Sequence, residues 1–282
     1  MCCPEGGMLI RTVLLAPLLA YPLWEAVAVQ ITSLQLSLPG LPPQLDGFSI
    51  LFVTDPHISR MGRRERNLLR VLRGLQPDLL AVGGDVARHE RGMALAVRIL
   101  QSVKPRLGAF AVLGNSEHKH DAPTEQLVRM LEDGGIHVLN NVHQALCYRG
   151  ARLVIAGVDD PYEERDDYAA ATAGAPSDAP IILLAHSPEV VVRLRERAPD
   201  LTLCGHTHGG QVRLPGLNAI YTHNRHGVDL DAGLFTADEL RRYNPGISGS
   251  PLMYVSRGIG VSVLPVRFLC RPEVALISLR SG

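Results

Sequence analysis

The sequence lacks an excess of charge of either sign: 28 Lys plus Arg stand against 28 Asp plus Glu in 282 residues, and the pI is near 7.2. A chain that gripped nucleic acid by its phosphates would carry a basic surplus, so no nucleic-acid partner is expected and any phosphate chemistry must come from a local site. Cysteine is sparse and without pattern. Cys2, Cys3, Cys147, Cys204 and Cys270 are odd in number and contain no CxxC, which argues against both a disulfide framework and a thiolate zinc site. Low-complexity tracts, internal repeats and Ser/Gly linkers are missing too, so nothing divides the chain into separate units. The uncharged apolar run Thr12–Trp24, between Arg11 and Glu25, is 13 residues long. As a helix it would reach ~20 Å, short of the ~30 Å hydrocarbon core of a bilayer.

Ala26-Val27-Ala28 has the small-x-small form of a signal cleavage site, but cleavage there would cut into Ala26–Leu38, which alternates like a first strand. Residues 1–28 are therefore expected to form an uncleaved, membrane-associated segment, an ordinary buried N-terminal helix being the alternative, with the folded domain over 29–282. The Cys2-Cys3 pair suits lipidation, although unmodified thiols are the simpler reading. Arg11 alone is too little to orient the segment by the positive-inside rule.

Beyond the turn-rich Pro39–Pro43, short apolar runs alternate with amphipathic stretches. Phe48–Thr54, Leu79–Gly83, Ala109–Leu113, Leu153–Ala156, Ile181–Ala185 and Leu201–Cys204 read as buried strands. Arg63–Leu75, Met93–Val103, Glu125–Asp133 and Glu189–Arg197 carry apolar residues at helical spacing. Strand and helix in alternation predict an α/β layered domain. Glu163–Asp178, rich in alanine, reads as a surface excursion.

The polar residues fall just after those strands. Asp55 and His57 follow the first, Asp85 the second, Asn115 the third, His186 the fifth, and His206 and His208 the sixth. In an open α/β sheet the carboxyl ends of the strands are where ligands bind, so seven side chains from five segments would converge on one rim. Their oxygen and imidazole donors suit borderline divalent ions such as Mn, Fe or Zn. Seven are too many for one tetrahedral site, whereas two ions sharing a carboxylate would use them all. A lone strand-end Asp, Asn or His is usually a turn former. Gly205-His206-Thr207-His208-Gly209-Gly210 is harder to explain as structure, because a glycine-bounded turn has little reason to display two imidazoles.

In this order, Thr54-Asp55-Pro56-His57, Gly84-Asp85, Gly114-Asn115, Ala185-His186 and Gly205 to Gln211 resemble the five motifs of the calcineurin-like metallophosphoesterase superfamily. Gly157–Pro161, Gln211–Gly216, Ser256–Gly260 and Leu264–Phe268 are similar to one bacterial branch, membrane- or cell-wall-associated phosphodiesterases and relatives that hydrolyse UDP-2,3-diacylglucosamine. The resemblance implies a four-layer α/β/β/α sandwich with a dimetal site at the strand carboxyl ends. It implies that Asp55, His57 and His208 hold one ion, Asn115, His186 and His206 the other, and that Asp85 bridges. It further implies hydrolysis of a phosphodiester or pyrophosphate by a hydroxide shared between the ions, on a phosphorylated small molecule or a lipid-linked substrate of the bacterial cell envelope. A catalytically silent metal-binding scaffold of the same fold is the alternative, disfavoured by a ligand set that is intact.

One position departs from the pattern. Where the superfamily usually has a His able to protonate the leaving oxygen, Gly114-Asn115-Ser116-Glu117-His118 has Ser116, which is no comparable acid at neutral pH. His118 and His120 are the nearby substitutes, and His118 is the expected catalytic group beside Asp85 and Asn115. Arg88, which follows Asp85, and His223 are the expected substrate contacts; Arg60, Arg63 and Arg64 are weaker candidates. His89, His137 and His143 read as surface residues, His226 as a companion of His223, and Asp159 and Asp160 as strand-end residues facing the same rim.

Overall fold

The structure, a computed structural model, describes residues 20–282 except 195–196, 216–218, 220–221, 223 and 226. One mixed sheet contains β1 (Gln30–Leu38), β2 (Ser49–Val53), β3 (Leu79–Val82), β4 (Gly108–Ala111), β5 (Ile136–Val138) and β12 (Glu273–Ser281), in the order β1-β12-β2-β3-β4-β5. The other contains β6 (Val142–Tyr148), β7 (Ala151–Gly157), β8 (Ile181–Leu184), β9 (Leu201–Cys204), β10 (Gly233–Phe235) and β11 (Leu252–Val255), in the order β10-β11-β9-β8-β7-β6.

The layering follows from strands that are apolar at every position. Successive side chains point to opposite faces, so such a strand has to be covered on both. Ile50 and Phe52 of β2 and Leu79 and Ala81 of β3 enter one core together with Ile182 and Leu184 of β8 and Leu201 and Leu203 of β9. This core lies between the sheets. The alternate residues Leu51, Val53, Leu80 and Val82 meet Leu68 and Leu72 of α1 (Arg63–Arg73), Met93, Ala96 and Val97 of α2 (Glu90–Leu100) and Leu127 and Leu131 of α3 (Thr124–Asp133). On the far side, Ile181 and Leu183 meet Tyr168 and Ala171 of α4 (Tyr168–Thr172) and Leu240 of α5 (Ala237–Leu240). The result is the expected α/β/β/α sandwich. The four central parallel strands β2 to β5 and the parallel trio β7 to β9 with β11 send their carboxyl ends to a common rim.

Two local expectations fail for identifiable reasons. Ala26–Leu38 does not begin as a strand: residues 20–25 are helical and β1 starts at Gln30. The buried Glu25 carboxylate accepts from the backbone N–H groups of Leu269 (2.9 Å) and Cys270 (3.0 Å), which fixes the helix end against the C-terminal loop. Glu189–Arg197 is no α-helix either. Pro188–Arg193 forms a 3-10 turn, in which the β-branched Val190, Val191 and Val192 are poor helix formers. Asn244 Nδ2 donates to the carbonyls of Val191 (3.0 Å) and Leu194 (2.7 Å), taking acceptors that a continuing α-helix would use. Among the described residues no helix is long and apolar enough to cross a membrane, and most of the Thr12–Trp24 run lies outside them.

Candidate metal centre

The seven sequence-selected residues Asp55, His57, Asp85, Asn115, His186, His206 and His208 meet at the rim, and all but His57 and Asn115 are buried. Asp55, His57, Asp85, His206 and His208 adopt positive φ, between 44° and 70°. Non-glycine residues rarely take this conformation, and its concentration at one site marks backbone bent to aim side chains. The strand ends lock this geometry together: the N–H of Asp55 donates to Gly84 O (3.1 Å) and that of His57 to Asp85 O (3.0 Å). Gly114 leaves room for the ligands themselves, since a Cβ there would stand 2.7 Å from His186 Nδ1 and closer still to Asp85 Oδ1.

Two groups of donor atoms result. In the first, His57 Nε2 lies 3.2 Å from His208 Nε2 and 3.3 Å from Asp85 Oδ2, and His208 Nε2 lies 3.7 Å from Asp55 Oδ1. In the second, His186 Nε2 lies 3.1 Å from Asn115 Oδ1, 3.2 Å from His206 Nδ1 and 3.6 Å from Asp85 Oδ1; His206 Nδ1 is 3.1 Å from Asn115 Oδ1. Asp85 therefore turns one carboxylate oxygen toward each group. Thr54 Oγ1, 2.7 Å from Asp55 Oδ2, and the N–H of His206, 3.0 Å from the same oxygen, hold Asp55 in place.

Electrostatics fit divalent cations. His186 Nδ1 sits 2.7 Å from Gly83 O, a contact that requires Nδ1 to carry the proton and leaves Nε2 aimed at Asn115, His206 and Asp85. Burial would push the His186 pKa down, but the charges of Asp85, Asp55 and Asp160 outweigh it and raise it to about 9. The proton on that ring supplies positive charge to a cluster of lone pairs. In the other group, burial lowers His57 to about 4 and pushes His208 well below its ordinary value. Both rings are neutral near pH 7, as imidazole ligands must be. Burial raises the Asp55 carboxyl, whereas at Asp85 the same effect is overcome by His186, His57 and two hydrogen bonds from Ser116 that hold it below the usual range. Buried carboxylates, imidazoles and an amide oxygen converging within 3 to 4 Å form a donor set for divalent metal ions, and Asp55, His57 and His208 and, separately, Asp55, Asp85 and His186 each satisfy the spacing for one ion.

Sequence reasoning missed several supporting groups. Ser116 donates from both N (2.9 Å) and Oγ (2.6 Å) to Asp85 Oδ1. The buried Glu117 carboxylate accepts from the N–H groups of Asp85 (2.8 Å), Gly114 (2.8 Å) and Val86 (2.9 Å), joining the β3 and β4 ends. Burial and then Asp85 raise its pKa. A Glu three residues beyond Gly114 is a capping-box signal that could have revealed it. The Tyr162 ring packs on His206 with centroids 4.6 Å apart, and the Arg225 guanidinium lies 3.8 Å over Tyr162. The wholly buried Arg267 donates to the carbonyls of Gly260 (2.6 Å), Arg257 (2.8 Å) and Cys270 (3.1 Å), which presses the loop after β11 against Asp55. Nothing in the spacing of Tyr162, Arg225 or Arg267 announces these contacts.

The remaining sequence candidates separate. His118 Nε2 is 2.6 Å from Asp159 Oδ1, and both side chains are almost covered. Asp160 is wholly buried and near enough to His186 and Asp85 to feel both. Arg88 and His89 line a cavity of about 500 Å³ together with Ser116, Glu117, Lys119 and His120. Arg64 donates to Pro56 O (3.3 Å) and Glu65 (2.8 Å), while Arg60 and Arg63 are exposed. His137 pairs with Glu132 at the surface; His143, by contrast, is half-buried 2.9 Å from Ala171 O. His223 and His226 lie outside the described residues.

Comparisons with known proteins agree with this geometry. The chain is 28% identical over 250 residues to the uncharacterized metallophosphoesterase YkuE of Bacillus subtilis, covering 86% of this chain and 82% of that protein. It is 28% identical over 239 residues to the phosphodiesterase YaeI of Escherichia coli, covering 82% of each. It is also 28% identical over 270 residues to a Danio rerio transmembrane protein with metallophosphoesterase domain, covering 90% of this chain but only 58% of that protein's length. The sequence profile of the calcineurin-like phosphoesterases matches residues 48–210, more than half of the chain and all seven converging residues. The chain thus belongs to the calcineurin-like phosphoesterase family and is a metallophosphoesterase.

Proposed function

We propose that the enzyme hydrolyses a phosphodiester or pyrophosphate with two divalent ions held by these seven residues. The observation that carries the reading is Asp85, with Oδ2 3.3 Å from His57 Nε2 and Oδ1 3.6 Å from His186 Nε2, the disposition of a carboxylate shared by two sites. Asp55, His57 and His208 would hold one ion, and Asn115, His186 and His206 the other. Two such ions, when bound, would activate a water and neutralise charge gathering on the phosphoryl oxygens. The chain's own residues do the rest. Asn115 contributes a neutral oxygen where another carboxylate would repel an anionic substrate. Ser116 orients Asp85, and the His118–Asp159 pair supplies the proton that Ser116 cannot give to a leaving oxygen. Arg88, at the mouth of the cavity beside Ser116, meets the departing group, and His223 is kept as a second contact.

Residues 1–28 act as the membrane-associated segment and 29–282 as the catalytic domain, working on a lipid-linked substrate at the bacterial cell envelope. The apolar run Thr12–Trp24 and the transmembrane relatives support this placement. Mn, Fe and Zn are the ions to test first. The deciding experiment is hydrolysis of an aryl phosphodiester and its monoester after chelation and re-addition of each metal, with Asp85→Asn as control. Metal-dependent diester turnover lost in the variant is the expected result. Absence of turnover with every ion, in protein shown to bind two, would favour a silent scaffold.

A further inference from the structure

We infer that the rim carrying the metal centre is itself a docking face for an anionic lipid bilayer, built from the tip of the loop after β11, the helix at 20–25 and the arginines of α1. This inference rests on the membrane placement proposed above and adds which surface meets the lipid. Val263 and Leu264 are 75% and 59% exposed, among the most exposed large hydrophobic residues described. They follow directly on a stretch of chain that is held against the site. The N–H of Gly260 donates to Asp55 O (2.6 Å), and two residues on, Ser262 accepts from Arg88 (3.3 Å) and donates to Gln211 Oε1 (2.5 Å). The next two side chains project into solvent directly beside the candidate substrate contact.

The same segment runs on to the N-terminal helix. The N–H of Arg267 donates to Pro22 O (3.0 Å), Phe268 meets Tyr21 edge-on at 5.7 Å, and Arg271 stands over Trp24 at 4.7 Å. Leu23 and Trp24 are half-exposed, and Leu269 is 43% exposed. Tyr and Trp with an arginine beside them are the residues that settle at a membrane–water boundary. Upstream, the sequence is without charge back to Thr12.

Charge completes the face. Asn67 of α1 donates to Val27 O (2.8 Å), and Arg70 donates to Asn67 (2.9 Å), placing that helix against the turn that follows the helix at 20–25. Arg63, Asn67 and Arg70 share one stripe at i, i+4 and i+7. Arg60, Arg63, Arg66 and Arg70 are exposed, whereas the helix's first-turn acid, Glu65, is buried against Arg64 and Gly62 N, and Glu25 is consumed by Leu269 and Cys270. Apolar side chains beside unopposed arginines fit anionic headgroups over acyl chains. A site facing the bilayer at this height reaches a phosphate at headgroup level.

The test is vesicle flotation of the full chain with phosphatidylcholine alone and with phosphatidylcholine mixed with phosphatidylglycerol, read together with quenching of Trp24, the sole tryptophan, by brominated lipid. Wild type should float with the anionic vesicles and be quenched. V263E/L264E should lower the bound fraction and the quenching roughly tenfold or more. R63E/R70E should weaken binding to anionic vesicles only, and added salt should do the same. Thermal unfolding midpoints should be equal in all three proteins, which shows them folded, and metal-dependent hydrolysis of a soluble aryl diester by wild type scores the phosphoesterase reading separately. If wild type floats and both variants float equally well, the apolar run alone anchors the chain and the inference is overturned. If the patch instead joins two copies in solution, so that V263E/L264E dissociates a dimer and wild type ignores vesicles, it is overturned as well.

Discussion

Ser116 stands where the resemblance led to the expectation of an acid, and its hydroxyl has a different task that can be measured. It donates to Asp85 Oδ1 at 2.6 Å, alongside its own backbone N–H at 2.9 Å. A hydrogen bond to a charged group contributes ~1.5–3 kcal/mol. Ser116→Ala removes the hydroxyl but keeps the N–H, and because residue 116 is half-buried on the wall of a 500 Å³ cavity, water can take part of the vacated place. The loss should therefore fall near the lower end, ~1.5 kcal/mol, or about tenfold in metal affinity. The lost hydroxyl also weakens one of the restraints that hold the Asp85 pKa down, so the variant's metal affinity should fall more steeply on acidification than that of wild type. Calorimetric titration of chelated protein with Mn, together with steady-state hydrolysis of an aryl diester, measures both effects. Ser116→Thr keeps the hydroxyl and should restore most of the affinity. Equal affinity and an equal pH profile for Ser116→Ala and wild type would refute the assignment of Ser116 to Asp85.

Three further outcomes follow from the arrangement of these side chains. His118→Ala should slow hydrolysis of an alkyl ester roughly a hundredfold while sparing a nitrophenyl ester, whose leaving oxygen needs little protonation; equal losses on both would remove His118 from proton transfer. Because the His186 pKa is raised to about 9, the metal-free ring is protonated at pH 7, and ion binding should expel about one proton from it, seen as a buffer-dependent binding heat. No buffer dependence would show the ring already neutral. Glu273→Gln should destabilise the fold by about 3 kcal/mol at pH 7, since the buried carboxylate joins Thr32 of β1, Tyr254 of β11 and Arg257. Burial would raise the Glu273 pKa, but Arg257 and Thr32 hold it low, so this stability is present above the unfolded value near ~4.3 and is lost as pH falls through the depressed folded value. Denaturant midpoints of the two proteins should converge at low pH; a constant gap would contradict the ion-pair account.

The parts of this protein that were legible in the sequence are those where one residue reports on one local requirement. Leu51-Phe52-Val53 and Leu79 to Val82 are apolar at every position, which demands cover on both faces and therefore a layered sandwich. The positions that could not be read are set by partners distant in the chain. β1 looks like an ordinary alternating strand from Ala26, but its partner β12 begins only at Glu273, after Pro272, and Glu25 is held by the backbone of residues 269 and 270, so pairing starts at Gln30. β12 begins at Glu273, an acid no one would place in a core strand without seeing Arg257 and Thr32 across from it.

The metal centre divides along the same line. Asp55, His57, Asp85, Asn115, His186, His206 and His208 could be found because each follows an apolar strand, and the layered fold brings strand ends together whatever the rest of the chain does. The residues that tune them have no such marker. Glu117 fastens the N–H groups of Asp85, Val86 and Gly114, and so ties two strand ends whose separation decides whether Asp85 and Asn115 can serve neighbouring ions. Arg267 is buried without a carboxylate and is satisfied by carbonyls of the loop it closes. A cation placed there fixes Gly258 and Gly260 against Asp55 without adding an anion to compete for metal, which a buried salt bridge would have done.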